Sequence, residues 1–158
     1  MRVLVVEDDV QCGASLAELL TLWGYDVQKA SDTIEALEGI LCFQPAVVIS
    51  EAHLPRLGGI DLLRALRSYP LAPKFILMSG EVSFEERDAA VQFGAFDFME
   101  KPLDFEKLRA DLKGCQGRST PGMDELERCP AVPDEVQECL IGVPERAERN
   151  RGEAETNI

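Results

Sequence analysis

Five short strand-like runs alternate with five segments whose apolar residues recur at helical spacing, and this alternation limits the fold more than any other feature. The first run, Val3 to Val6, is apolar throughout, which is typical of a strand buried on both faces of a parallel sheet. The other runs lie at residues 25–29, 46–50, 75–78 and 96–99. Strands that alternate with helices predict an open parallel sheet with helices on both faces.

Several helix starts can be located from side chains able to satisfy free backbone N–H groups. Asp32 with Glu35, and Ser83 with Glu86, have the spacing of a capping box. Asp104 is expected to cap the last helix, which is predicted over residues 103–112. The second helix is predicted to bury an apolar face made of Ile34, Leu37, Ile40 and Leu41.

The composition excludes several classes of function. The chain has 158 residues and a formal net charge of −13, whereas direct binding of nucleic acid or of anionic membranes needs clustered lysine and arginine. No apolar run approaches the ~20 residues of a membrane helix, and no signal peptide precedes the first run, so we expect a cytoplasmic protein. None of the five cysteines has the C-x-x-C spacing of a zinc or redox site.

The character of the chain changes near residue 114. Residues 1–113 hold all the strand and helix patterns and predict one domain. Residues 114–158 are acidic, contain four prolines and have few large apolar side chains. We expect this tail to be largely disordered, with at most a short helix within residues 133–149.

Polar side chains follow four of the predicted strands. Glu7 and Asp8 come after the first strand, Glu51 after the third, Ser79 after the fourth and Lys101 after the fifth. Ligands of open parallel sheets bind beyond the carboxyl ends of the strands, so these side chains are expected to meet in one crevice. Clustered carboxylates need a cation there: magnesium or the lysine can supply it, while a hydroxyl and an ammonium suit a phosphoryl group.

Four segments of the chain together resemble the receiver domain of two-component response regulators. They are VLVVEDD at 3–9, VVISEAHLP at 47–55 with GGIDLL at 58–63, ILMSG at 76–80, and GAFDFMEKP at 94–102. The resemblance covers residues 1–113. It implies a flavodoxin-like, doubly wound α/β fold, in which five parallel strands have the order 2-1-3-4-5 and five helices cover the sheet.

The resemblance also implies roles for the residues at the strand ends. Glu7 and Asp8 match the acidic pair that binds Mg²⁺ in the family. Lys101 matches the ammonium partner of the phosphoryl group, and the bond that follows it, to Pro102, is typically cis in the family. These assignments are expectations from the family pattern.

The family's switch between inactive and active states has two further matches. Ser79 matches the hydroxyl that moves onto the phosphoryl group, and Phe98 matches the aromatic residue that turns inward on activation. Both positions carry residue types that the family uses.

The departure from the family pattern is Glu51, which occupies the position of the phosphate-accepting aspartate. Its extra methylene moves the carboxylate outward by ~1 Å, and such a displacement can slow a positioned reaction on the order of 100-fold. We therefore expect ordinary phosphoryl transfer to be lost or very slow, and Mg²⁺ binding to be weakened or absent. The longer side chain is expected to pair with Lys101 and to accept a hydrogen bond from Ser79.

These observations favour a pseudo-receiver that acts through protein–protein contacts in a phosphorelay, rather than an enzyme. Its expected partner is a histidine kinase or a downstream effector protein. One alternative is a phosphorylatable receiver that uses Glu51 or a nearby acid. An alternative of another class is a magnesium-dependent phosphatase or a flavoprotein on the same scaffold, although no Gly-rich phosphate loop follows the first strand.

Overall fold

A computed structural model of the protein describes residues 1–67, 69 and 72–116. One parallel sheet has the strand order β2-β1-β3-β4-β5, which confirms the predicted fold class. The strands are Arg2–Val6 (β1), Asp26–Ala30 (β2), Val47–Glu51 (β3), Lys74–Ser79 (β4) and Asp97–Glu100 (β5). The helices are Val10–Leu22 (α1), Thr33–Phe43 (α2), Gly59–Leu66 (α3), Phe84–Gln92 (α4) and Phe105–Gly114 (α5).

The predicted domain boundary falls at the end of the last helix. Helix α5 begins after Asp104 and ends at Gly114, two residues later at each end than the sequence predicted. Such small shifts are ordinary, since helix ends are defined by caps rather than by apolar spacing. Residues 117–158, which make up nearly all of the predicted tail, lie outside the described residues.

The strands place their side chains alternately in two apolar layers, because successive residues of a strand point to opposite faces. One layer packs against α2, α3 and α4 and the other against α1 and α5. Each fully buried aliphatic or aromatic side chain contributes about 1.5–3 kcal/mol. The first layer contains Leu4, Val6, Val48, Phe75 and Leu77, and the second contains Val3, Val5, Ile49, Ile76 and Met78.

The helix starts follow the predicted caps in most cases. Asp32 and Asp104 each accept two backbone N–H groups of the following helix. Ser83 and Glu86 form the predicted capping box at the start of α4. Each cap sets the residue at which a helix begins after the loop that follows a strand. The caps therefore help to position the loops at the edge of the sheet where the polar side chains lie.

Two predictions for helix α2 are wrong. Glu35 does not complete a capping box with Asp32, because its carboxylate accepts from the backbone N–H and the hydroxyl of Ser31, both at 2.8 Å. Ile34 is 60% exposed and does not belong to the buried face, whereas Leu37, Ile40 and Leu41 do. The predicted start of the helix is confirmed, because Asp32 is its N-cap and the helix begins at Thr33.

The connection between β3 and α3 passes close to the carboxyl end of β3 at two glycines. A Cβ atom at Gly58 would collide with the carbonyl oxygen of Ala52, and one at Gly59 would collide with that of Glu51. The N–H of Gly59 donates to the Ala52 carbonyl at 3.0 Å, and the N–H of Ala52 donates to Met78 at 2.7 Å. The backbone around Glu51 is therefore held by main-chain contacts.

None of the helices in the described ranges combines the length and the apolar character that crossing a bilayer requires.

Candidate functional site

Three of the predicted site residues meet at the carboxyl edge of the sheet. The ammonium nitrogen Nζ of Lys101 lies 2.5 Å from Oε2 of Glu51 and 2.7 Å from Oε2 of Glu7. The two carboxylate side chains are 9% and 5% exposed, and that of Lys101 is 30% exposed. One lysine thus bridges two carboxylates that are almost closed off from water; we call Glu7, Glu51 and Lys101 the site triad.

The two carboxylates keep the lysine charged. Burial by itself lowers the pKa of Lys101, but hydrogen bonds to Glu51 and Glu7, together with their negative charges, outweigh burial and raise that pKa above its ordinary value. The ammonium is therefore present throughout the neutral range. Two of its three N–H donors are engaged, by Glu7 and by Glu51.

The second oxygen of Glu51 is also engaged. Oε1 accepts the backbone N–H of His53 at 3.3 Å, while Oε2 contacts Lys101. The Glu51 side chain folds back over its own loop in this arrangement. Its position is fixed at both oxygens, by the lysine that follows β5 and by an amide from the β3–α3 loop.

Ser79 does not make the expected contact with Glu51. Its hydroxyl is fully buried and donates to the carbonyl oxygen of Glu81 at 2.6 Å. The prediction that Ser79 donates a hydrogen bond to Glu51 is therefore wrong for this arrangement. The hydroxyl instead closes the turn that leads from β4 towards α4, because a carbonyl two residues further along is within its reach.

The three acidic residues after β1 occupy different environments. Glu7 is buried against Lys101, Asp8 is exposed, and Asp9 caps helix α1. Backbone N–H groups, first that of Cys12, lower the pKa of Asp9. Glu7 and Asp8 are therefore separated, one facing the crevice and the other the solvent.

Mg²⁺ is usually held by one or two protein carboxylates together with waters, and Glu7 and Glu51 are the buried carboxylates at the crevice. Within residues 1–67, 69 and 72–116, no three His, Cys, Asp or Glu side chains are arranged to hold a metal ion. Glu7 and Glu51, the two buried carboxylates, already share the charge of Lys101. In this arrangement Lys101 supplies the positive charge that lies between the two carboxylates.

Phe98 and Pro102 lie on either side of Lys101 along the chain. The Phe98 ring is 5% exposed, packs in the apolar layer under α4, and has the guanidinium of Arg87 at 5.7 Å from its centre. The peptide bond between Lys101 and Pro102 is cis. The Phe98 ring therefore faces inward rather than into solvent.

One polar contact at this edge was not anticipated from the sequence. Nε2 of His53 lies 2.8 Å from Oε1 of Glu86 on helix α4. The His53 side chain is 57% exposed, and it nevertheless contacts a carboxylate of a distant helix. No spacing signal joins a loop after β3 to a helix after β4, so only the folded arrangement reveals the pair.

A small cavity lies beside the triad, between β1 and the first turns of α1 and α2. Its volume is about 250 Å³, and its lining includes Glu7, Lys29 and Glu35. Pockets that bind small molecules usually have about 300–1,000 Å³, so this cavity offers no obvious place for a flavin.

Comparison with known proteins agrees with this architecture. The family model of the response regulator receiver domain matches residues 3–113. Response regulator MprA of Mycobacterium sp. strain KMS is 35% identical over 132 residues, which cover 84% of this chain and 56% of the relative. Response regulator MprA of Mycolicibacterium vanbaalenii is 36% identical over 121 residues, covering 77% of this chain and 52% of the relative. The chain spans about half the length of these curated relatives.

Solved receiver structures have the same fold. The receiver domain of a Francisella response regulator is similar with a TM-score of 0.67 at 27% identity, covering 72% of this chain and 94% of that one. Vibrio cholerae chemotaxis protein CheY4 is similar with a TM-score of 0.67 at 26% identity, covering 72% and 97%. Strand order, family match and relatives agree, and the chain belongs to the response regulator receiver domain family of two-component signalling.

Proposed function

We propose that this chain is an atypical receiver that signals through contacts with a protein partner and does not depend on phosphoryl transfer to position 51. The observation that carries this proposal is the ion pair between Glu51 and Lys101, whose charged atoms lie 2.5 Å apart. In a working receiver that lysine is expected to hold the incoming phosphoryl group. Here a side chain of the protein already holds it.

The geometry of Glu51 supports the loss of transfer in two ways. Its carboxylate is one methylene further from the backbone than that of aspartate, and ~1 Å of misplacement can cost on the order of 100-fold in a positioned reaction. Both carboxylate oxygens are also engaged, by Lys101 and by the N–H of His53. An attacking oxygen would have to leave one of these partners first.

Glu51 also supplies part of what a phosphoryl group would supply. It brings one negative charge to Lys101, whereas a phosphoryl group brings about 1.5–2 charges and three acceptor oxygens. One charge-assisted hydrogen bond is worth about 1.5–3 kcal/mol, and a full reversal of a two-state switch needs about 5.5 kcal/mol. Glu51 therefore biases the receiver towards its active arrangement without fixing it there. The inward position of Phe98 is consistent with this bias.

The triad also reduces the need for a divalent cation. Two buried carboxylates without a cation would repel each other, and Lys101 neutralises part of their charge. We propose that Mg²⁺ is not required for folding or signalling of the natural chain. The partner of this chain is then a histidine kinase or a downstream effector protein that binds the surface of the receiver. The receiver itself makes no direct contact with nucleic acid or membrane.

Chemical phosphorylation tests the proposal. The natural chain, Glu51→Asp and the matched control Glu100→Asp, which shortens an exposed glutamate at the end of β5, are incubated with acetyl phosphate and Mg²⁺. Intact mass then reports any adduct, and fragmentation reports its position. We expect Glu51→Asp to gain one phosphoryl group, and the other two proteins to react on the order of 100-fold more slowly.

Two outcomes would contradict the proposal. A stoichiometric adduct on Glu51 of the natural chain would show that the longer side chain still transfers. An adduct on Asp8 or Asp9 of the natural chain would favour a receiver that uses a neighbouring acid.

A further inference from the structure

The contact between His53 and Glu86 joins the loop after β3 to the start of helix α4. Nε2 of His53 lies 2.8 Å from Oε1 of Glu86, and the side chains are 57% and 26% exposed. Neither residue belongs to the site triad. The contact is nevertheless the place where the loop that directly follows Glu51 binds a side chain of α4.

On the site side, His53 is tied to Glu51 through its own backbone. The N–H of His53 donates to Oε1 of Glu51 at 3.3 Å. A change in the position or charge of the Glu51 carboxylate therefore acts on the residue whose ring holds Glu86. The loop has little freedom to absorb such a change, because Gly58 and Gly59 are packed against carbonyl groups of the same loop.

On the helix side, Glu86 is part of the α4 start. Its Oε2 accepts the N–H of Ser83 at 3.1 Å, while Oε1 faces His53. Ser83 hydrogen bonds, and also the charge of His53, lower the pKa of Glu86, so its carboxylate is ionised at neutral pH. The next residue, Arg87, lies over the ring of Phe98 at 5.7 Å.

We propose that His53 and Glu86 form a latch through which the state of position 51 is passed to helix α4 and to Phe98. The proposal deepens the proposed function, because it gives Glu51 a route to an outer helix that does not use Ser79. His53 and Glu86 are positioning residues in this route. Coupling of this kind needs a continuous series of contacts, and the hydrogen bonds and ring contact above provide one.

A second route from Glu51 runs through Lys101 and β5 and does not include the latch. Lys101 bonds to Glu51 and directly follows β5, the strand that contains Phe98. The experiment must therefore separate the two routes. Substitutions in the latch leave the second route intact, which makes them the appropriate variants.

Amide spectra of the free protein test the latch. Glu51→Gln is introduced into the natural chain and into His53→Gln, Glu86→Gln and Glu85→Gln backgrounds, and ¹H–¹⁵N shifts of residues 83–88 are compared at one pH. Gln at position 86 keeps the capping box while removing the charge. Glu85 lies in the same helical turn, and the described part of the chain shows no hydrogen bond or ion pair for it, so it is the matched control.

We expect Glu51→Gln to shift these amides in the natural and Glu85→Gln backgrounds. When either latch residue is replaced, we expect the shifts to be smaller by a factor of about two or more. Hydrogen-exchange protection in the first turn of α4 is expected to fall about two- to fivefold in His53→Gln, the range for a partly exposed ion pair. The latch is contradicted if the shifts persist undiminished in His53→Gln and Glu86→Gln, or if Glu85→Gln weakens them equally. No phosphoryl donor or partner is used, so this result and the phosphorylation result can fail independently.

Discussion

Two clusters in this receiver each contain one lysine beside two carboxylates. They differ in how many of the carboxylates bond directly to the lysine. In the site triad both carboxylates bond directly to Lys101, at 2.5 and 2.7 Å, and both are nearly buried. In the second cluster, on β5 and α5, Lys107 bonds to Asp97 but lies 3.8 Å from Asp111. We call Asp97, Lys107 and Asp111 the α5 cluster.

The pKa directions reflect this difference. Burial alone would raise the pKa of Asp97, but hydrogen bonds from Lys107 and the backbone N–H of Phe98 lower it below its ordinary value. Burial, followed by the negative Asp97, raises the pKa of Asp111, whose Oδ2 atom is buried without a hydrogen-bond partner. Lys107 therefore stabilises the charge of Asp97 more than that of Asp111, which burial and the neighbouring Asp97 disfavour.

The comparison shows that the number of charges does not determine what an ion cluster contributes. A lysine shared through two short bonds in a nearly closed crevice holds three elements in one geometry. A lysine that is about half exposed, with one distant carboxylate, contributes little, because water competes for it. The first cluster lies in the predicted site, and the second has no role that the structure assigns.

The largest expected effect is that of Lys101→Met. The substitution leaves Glu7 and Glu51 buried without a counter-ion, and we expect the free energy of unfolding to fall by about 2–3 kcal/mol at pH 7, somewhat less than for a fully buried pair. Urea denaturation measures it. A loss below that of Lys107→Met would show that the site triad is not the stronger cluster.

The natural chain provides a pH check on the same triad. The pKa of Lys101 is raised in the folded state, so its contribution is fully present below the ordinary lysine pKa and is lost as the pH rises through the raised value. We therefore expect the stability difference between the natural chain and Lys101→Met to be constant across the neutral range and to shrink only in strongly alkaline solution. Urea denaturation between pH 7 and 11 follows this difference.

A smaller effect is expected for Lys107→Met in the α5 cluster. The side chain is 47% exposed, so the loss of its bond to Asp97 should lower the free energy of unfolding by about 0.2–1 kcal/mol. The exposed Lys113→Met on the same helix is the control and should change stability by less than about 0.5 kcal/mol. A loss comparable to that of Lys101→Met would break the distinction between the clusters.

The smallest effect, and the only gain, is expected for Asp111→Asn. The raised pKa of Asp111 means that its charge opposes folding, so the natural chain loses stability as the pH rises through that pKa. The variant removes this loss, and we expect a gain of about 0.5 kcal/mol at pH 7 that disappears at pH 3. Thermal unfolding at the two pH values measures it, and a variant less stable than the natural chain at pH 7 would contradict the assignment.

Most of the fold could be predicted because its signals are local. Apolar runs gave the five strands to within one or two residues, and caps such as Ser83 and Asp104 gave the helix starts. The predicted capping box of Asp32 and Glu35 was wrong in part, because the Glu35 carboxylate accepts from Ser31 instead. A capping pattern states which groups are able to bond, but the neighbouring residue decides which bond forms.

The site could be predicted only in part, for a physical reason. The strand order brings Glu7, Glu51 and Lys101 to one edge, and their opposite charges then make the contact favourable. The hydroxyl of Ser79 is neutral and donates to a nearby carbonyl instead. The ring of His53 contacts Glu86, which is distant in sequence. Side-chain rotamers and contacts between loops depend on angles that no spacing pattern encodes.

The main-chain support of the β3–α3 loop has a consequence for the history of such a protein. Ala52, Gly58 and Gly59 hold the two ends of the loop through backbone contacts that do not involve the side chain at position 51. Glutamate and aspartate codons differ by a single base, so one mutation can exchange the two acids on an unchanged scaffold. Under the proposed function, that single base change would exchange an acid that accepts a phosphoryl group for one that does not, in either direction.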